Sequence, residues 1–423
     1  MNKFWDKLRL IITDANLKKR ILFILGILVL FRFGASVPIP GVDVLALEQF
    51  FQDNQFFGLL NIFSGGGLAN LSIVMLGVGP FITASIIMQL LTLVFPALKQ
   101  MYHEEGLVGR RKVAQYSRLL TVPLALMQGF GLLILLERQG VLVNLTLADQ
   151  IFNATIVAAG SILLMWLGEL INEYGIGNGV SILIFAGIVS QLPTTVSQLW
   201  ITFTPAMIPT YVGFAVLATI IVAGIVVVTE AERPIPITYA KRVRGMKVYG
   251  GVSTYLPIRV NNAGVMPIIF ALSILLFPQM IINFLSEVNN DTVRLVSEFL
   301  LSMFNNPWLY ASLYFILVFA FTYFYSAITF DPHAISDNLQ KSGAFIPGVR
   351  PGRSTENYLA KILTRLTFVG AVFLGFVAML PIIMQGITGI AALAIGGTGL
   401  LIVVSVVLDL VKKIEAQTTM REY

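Results

Sequence analysis

Positive charge is confined to alternate segments of this chain, and that confinement limits how it can be folded. Ten apolar stretches divide it, at roughly 21–38, 73–98, 119–136, 151–168, 180–201, 207–229, 263–285, 308–330, 366–384 and 387–411. Each is close to the ~20 apolar residues that cross a bilayer core. Of the 28 Lys and Arg, 25 lie in the leading segment, the second, sixth and eighth connections, and the tail. The leading segment carries Lys3, Lys7, Arg9, Lys18, Lys19 and Arg20, and the tail adds Lys412, Lys413 and Arg421. Lys and Arg beside a span resist translocation, so the loaded segments share the cytoplasmic side. An even number of crossings returns both ends to it. The opposite connections hold only Arg138 and Arg294, while Arg32 lies near the end of the first stretch.

Composition agrees with a chain that lives in lipid. With 57% hydrophobic residues, 12% charged residues and a mean hydropathy of +0.84, there is too little polar material to cover a water-facing globule. The first stretch ends in Val37, Pro38, Ile39 and Pro40 without a small-residue cleavage site, so it reads as a retained span. Cysteine is absent, which excludes disulfides, thiolate nucleophiles and cysteine-ligated metals. The two histidines, His103 and His333, sit in cytoplasmic connections far apart in sequence.

Five stretches fall within 1–201 and five within 202–423, so these two halves enter the membrane with opposite orientation. Such inverted repeats bring short or broken segments together near the midplane. A second large cytoplasmic loop covers 331–365. The connection after the first span is unusual. From Phe56 it reads FFGLLNIFSGGGLANLSI, an apolar run too short to cross, then three glycines, then a second apolar run. Leu59 to Ser64 is therefore expected to form a half-inserted segment, and backbone at that depth is tolerated only where protein buries it or water lines it. A surface helix at the outer interface competes with this reading. Against it, no Lys or Arg lies between Arg32 and Lys99, whereas interfacial helices usually present basic residues to headgroups.

The chemistry of the spans is conspicuously uncharged. Glu137, Arg138, Glu169, Glu173, Glu230 and Asp409 all fall at expected ends, whereas ion-coupled transporters place a carboxylate, His or Lys within the membrane. No GxxxxGK[ST], HExxH or credible GxSxG occurs, so neither nucleotide hydrolysis nor intramembrane catalysis is expected, nor any cofactor. The Gly175 to Gly179 run follows a membrane helix and reads as a turn. What remains is neutral polarity at helical spacing: Ser85, Gln89 and Thr92 share one face of the second span, Ile82 and Ile86 a neighbouring one. Gln128 lies in the third span, and Asn261 and Asn262 open the seventh. Amides and hydroxyls can simply bind helices together at about 0.6 kcal/mol each. A polar cluster joining three spans would instead be weak enough to part. Two functions fit these residues: a channel gated by branched apolar side chains, which exclude water yet deform around large cargo, or a secondary transporter for a neutral or lipid-like solute. Two basic cytoplasmic loops of about 30 residues each favour the channel.

Those loops are specific. GRRKVAQYSR from Gly109, ITYAKR from Ile237, STYLPIRVNNAGVMP from Ser253 and DNLQKSGAFIPGVRPGRST from Asp337 resemble the SecY family, the channel subunits of the bacterial protein translocase. FRFGASVPIPGVD from Phe31, MWLGELINEYGIGNGVSILIFAG from Met165 and GGTGLLIVVSVVLD from Gly396 agree, in collinear order over nearly the whole chain.

The resemblance implies an all-α membrane protein: ten transmembrane helices in two inverted five-helix halves around a central pore, with a short plug helix. The plug would span Leu59 to Leu71, including Leu60, Ile62, Phe63, Ser64, Gly65, Gly66 and Gly67. The constriction would be a ring of Ile82, Ile86, Ile184, Val265, Ile269 and Ile402, with Ile188 competing for the position of Ile184. Ser85, Gln89, Gln128 and Asn261 would be polar contacts of a lateral gate through which signal sequences and nascent transmembrane segments reach membrane lipid. Lys241, Arg242, Arg244 and Lys247 at one loop tip, and Arg350 and Arg353 at the other, would dock the SecA motor or the ribosome and its RNA. SecE-type and SecG-type small subunits would accompany the chain in the bacterial plasma membrane. At Glu232, Arg233, Pro234 the family usually carries a second basic residue where this chain has proline, which removes a charge and a backbone donor.

Overall fold

Each of the ten apolar stretches coincides with a helix in the computed structural model, which describes residues 14–41, 61, 64–103, 105–138, 140–142, 146–201, 204–205, 208–239, 242–244, 247–249, 253–285, 291–388 and 391–422. Helix α1 (Ala15–Ser36) starts where the Asp14 side chain accepts the Asn16 N–H, an N-cap satisfying one of the orphan donors of the first turn. It stops where Val37, held extended before Pro38, cannot continue it.

The second span departs from expectation. Residues 73–78 form turns and the helix α2 occupies only Gly79–Val94, because Pro80 is favoured in a first turn. Pro96 then forces Phe95 into the extended region, and α3 (Pro96–His103) leaves at 109° to α2. Other helices overrun the bilayer: α4 (Gly106–Arg138) and α12 (Arg353–Thr388) have 33 and 36 residues, about 50 Å each at 1.5 Å per residue. The basic residues of their first turns continue the helix, since they lose little rotamer freedom there.

Between these lie α5 (Leu147–Tyr174), opened by a reciprocal cap between Thr146 and Asp149, α6 (Gly179–Ile201) and α7 (Ile208–Glu230). The second half contributes α8 (Met266–Leu285), α9 (Asp291–Asn305), α10 (Pro307–Thr329), α11 (Pro332–Lys341) and α13 (Ala391–Glu422). Among the described helices, five are long and apolar enough by themselves to cross a membrane, six with the bent pair α2 and α3.

Two seams join the halves. On one side α8 packs against both α2 and α4; on the other α13 packs against α6. Within the halves, α4 lies along α2 and α5, and α12 along α10.

The two large loops, 230–262 and 331–365, carry β-structure that the all-α expectation did not include. Strand β1 (Glu232–Tyr239) pairs antiparallel with β4 (Ser253–Arg259) in the register Glu232↔Arg259 to Thr238↔Ser253. On its other edge β1 takes β5 (Ala344–Phe345) from the second loop, through Thr238↔Phe345 and Tyr239↔Ala344. Ile235, Ile237 and Ile258 are buried; Ile235 and Ile258 share an apolar cluster with Ile346, Leu359, Ile362 and Leu363, so this sheet packs on the first turns of α12. Strands β2 (Arg242–Arg244) and β3 (Lys247–Tyr249) form a separate hairpin.

Candidate functional site

The interior where the halves meet is greasy and closed. Ile82 and Ile86 come from α2, Ile184 and Ile188 from α6, Ile269 from α8, Ile402 from α13, and Val265 from the turn before α8. All are buried and belong to one contiguous apolar cluster. The competing positions Ile184 and Ile188 are thus both inside it, one turn apart on α6. Ile188 lies deep in the second seam: a Cβ added to Gly399 of α13 would stand 2.7 Å from its Cγ2, so only glycine permits that approach of the helices.

A tight run of turns from Ser64 to Val78 contributes Val74 and Val78 to this cluster. Ser64, Gly65, Gly66 and Gly67 are buried; Leu59, Leu60, Ile62 and Phe63 fall outside the described residues. Gly65 (φ +69°) is wedged between α1 and α6, and a Cβ there would sit 2.3 Å from Phe31 Cζ and 3.1 Å from Gly187 Cα. The run ties itself together: Asn61 Oδ1 accepts the Ala69 N–H, and Ser64 Oγ accepts the Leu68 N–H. Its far end is sewn to the exit of α1 by Ile39 N–H to Leu71 C=O, 2.8 Å, and Ile73 N–H to Val37 C=O, 3.0 Å.

Sequence reasoning did not find the residues that grip this run from α1 and α6. Arg32 Nη1 reaches Gly65 C=O at 3.4 Å and Ser190 Oγ at 3.2 Å, and Gln191 Nε2 donates to Asn61 C=O at 2.9 Å. The acceptors are backbone carbonyls, which leave no trace in residue identity.

The polar residues of the first seam are brought to one side of the molecule by the packing of α2 and α4 on α8, but their hydrogen bonds stay within their own segments. Gln89 Nε2 donates to Ser85 Oγ at 3.4 Å, one turn back, and Asn261 Nδ2 donates to Gly264 C=O at 3.3 Å. The amide oxygens of Gln89 and Asn261 are buried with no partner among the described residues. Gln128 is half-buried on α4. A buried acceptor without a partner costs about 1–3 kcal/mol, so this seam is held closed against a penalty. Gln89→Leu removes one such oxygen at similar volume. The expected result is a higher unfolding midpoint and slower release of transmembrane segments into lipid, by about tenfold if ~1.4 kcal/mol is recovered. A lowered midpoint in a thermal melt would show that the oxygen is satisfied.

At the loop tips, Arg350 and Arg353 are exposed. Their turn is fixed by Thr355 Oγ1 to Arg350 C=O, 2.9 Å, and Ser336 Oγ to Gly352 C=O, 2.8 Å. Arg242, Arg244 and Lys247 lie on the β2–β3 hairpin in the register Arg242↔Tyr249 and Arg244↔Lys247; Lys241 is outside the described residues. Pro234 sits opposite Pro257 in the β1–β4 ladder, where its missing N–H costs the sheet nothing.

The profile of the SecY family matches residues 72–411. The Corynebacterium glutamicum protein named protein translocase subunit SecY is 42% identical, over 97% of each chain. Two solved structures share the fold. One is a SecY whose plug domain is described as stabilising the closed state of the translocation channel and maintaining a membrane seal (TM-score 0.64, 20% identity, 94% of this chain and 91% of that one). The other is Sec61 in the canine ribosome-channel complex from the endoplasmic reticulum (TM-score 0.57, 19% identity, 94% and 91%). A seam closed by isoleucines, a glycine-rich run seated on it and a full-length match at this identity lead to one placement: the chain belongs to the SecY family.

Proposed function

We propose that this multi-pass membrane protein is the protein-conducting channel of a translocase, passing unfolded polypeptide across the membrane and releasing transmembrane segments sideways. The observation that carries the reading is the single apolar cluster contributed by Ile82, Ile86, Ile184, Val265, Ile269 and Ile402 at the junction of the halves. Branched apolar side chains from four helices and one turn seal a narrow passage by excluding water. The run at 64–78 acts as the seated base of the plug, and the seam of α2 and α4 with α8 acts as the lateral gate. The chain itself does no catalysis; the energy comes from a partner. With a photoreactive group at residue 86 of the channel, a cargo chain halted mid-transport by a stall sequence should crosslink there. Crosslinks confined to a lipid-facing control at Leu22, which is 56% exposed on α1, would refute the route.

The loop tips are the docking surface, with Arg350, Arg353 and the β2–β3 hairpin facing the cytoplasm of a bacterial cell. Ribosome binding fits the solved Sec61 complex, SecA binding fits the family, and small SecE-type and SecG-type subunits would pack on the lipid-facing helices. Contacts from Lys and Arg to RNA phosphates weaken steeply with salt. Arg350→Glu is therefore expected to weaken ribosome binding to proteoliposomes by about tenfold at low salt, with the difference closing at high salt. Equal affinities at low salt would remove Arg350 from the surface.

A further inference from the structure

Arg32 is the one Lys or Arg between Arg20 and Lys99, and it forms no ion pair with any described carboxylate. Its hydrogen-bond acceptors in the fold are neutral: the Gly65 carbonyl and the Ser190 hydroxyl. Ser190 Oγ lies 2.8 Å from Gly187 C=O on its own helix and 3.5 Å from Gly65 C=O. Its single proton therefore goes to Gly187, and its lone pairs are left to accept from Arg32. The hydroxyl thus steers the guanidinium, and the guanidinium donates to the Gly65 carbonyl. An Arg near the end of a span can reach the interface at little cost; here, exposed on α1, it also donates to backbone.

From this geometry we infer that Arg32, oriented by Ser190, is the latch of the plug, a positioning residue that keeps the channel shut by charge-assisted donation to the Gly65 carbonyl. The inference rests on the plug reading above. Because the acceptor is main chain, the latch is indifferent to the plug's own side chains. It is also wired to the constriction. Ser190 and Gln191 follow Ile184 and Ile188 on the same helix, within about 10 Å of helix rise. A cargo chain that pushes α6 outward at the isoleucines drags the oriented hydroxyl from Arg32 and the Gln191 amide from Asn61 together. The plug is released when the ring is occupied and not before.

The test measures resting ion conductance of the purified channel in planar bilayers, in two backgrounds. In the full chain, Arg32→Gln is expected to raise resting conductance about tenfold, the worth of one charge-assisted hydrogen bond. Arg32→Lys should restore part of the closure, and Ser190→Ala should give a smaller leak. In a channel lacking residues 61–71, Arg32→Gln should add nothing, since the object it holds is gone. An equal rise in both backgrounds would overturn the latch and assign Arg32 to the passage itself, and no rise in the full chain would overturn it outright. If deletion of 61–71 alone leaves conductance unchanged, the plug reading fails instead, which separates the two failures. Thermal melts of each variant, expected within a few degrees of the parent, distinguish release of the latch from loss of fold.

Discussion

Replacing Gly65 by valine is expected to hold the channel open at rest. The backbone at that position is left-handed, and a Cβ would overlap Phe31 Cζ at 2.3 Å and crowd Gly187 Cα at 3.1 Å. The left-handed conformation costs a side chain about 1–2 kcal/mol, and forcing volume into a packed site adds about 1–3 kcal/mol. Together they move a seated-to-displaced equilibrium by at least about thirtyfold, since ~1.4 kcal/mol is a factor of ten. Resting conductance in planar bilayers should rise by that order. Adding Phe31→Ala should recover part of the seal, because it relieves the overlap while leaving the backbone strain. Unaltered conductance in the valine variant would mean that the run at 64–78 does not close the passage.

The second large effect belongs to the isoleucines. Ile86 and Ile269 are each 1% exposed, and asparagine at both positions places two amides where no partner awaits them. Each unpaired amide costs about 1–3 kcal/mol if it stays dry, so water enters to satisfy them and the constriction wets. Ile86→Asn with Ile269→Asn should raise single-channel conductance more than tenfold even with the plug seated, whereas Ile86→Leu with Ile269→Leu should leave the seal near its parent value, since volume and polarity are kept. A tight seal in the asparagine pair would show that these side chains only pack helices.

Why the spans are readable from composition and the grip on the plug is not has a physical cause. Hydrocarbon imposes a length and an absence of charge on every crossing, so α1, α4 to α8, α10, α12 and α13 are visible in the chain before any contact is known. Pro80 and Pro96 also announce where α2 must begin and end, although a hydropathy window reads straight through both. Pro234, Ile235, Pro236, Ile237 alternates as a half-buried strand does, but two prolines in four residues oppose a strand by propensity, and only pairing with β4 resolves the conflict. The isoleucine set is named through family resemblance, yet that Ile188 joins Ile184 in one cluster depends on the close approach at Gly399. Gln89 and Asn261 show their polarity in sequence; that neither amide oxygen finds a partner is a property of the packed seam. Arg32 was visible as an odd charge, but its acceptor is a carbonyl common to all residues.

The β4–β1–β5 sheet has a mechanical consequence. Glu230 ends α7 and Glu232 begins β1; β4 ends at Arg259, and α8 starts at Met266. The Val260 N–H donates to Ala231 C=O at 2.9 Å, clamping the root of α7 to the lead-in of α8. Since β5 arrives from the loop at 331–365, the two protrusions are spliced into one lever. A load applied to either would reach the start of α8 as torque.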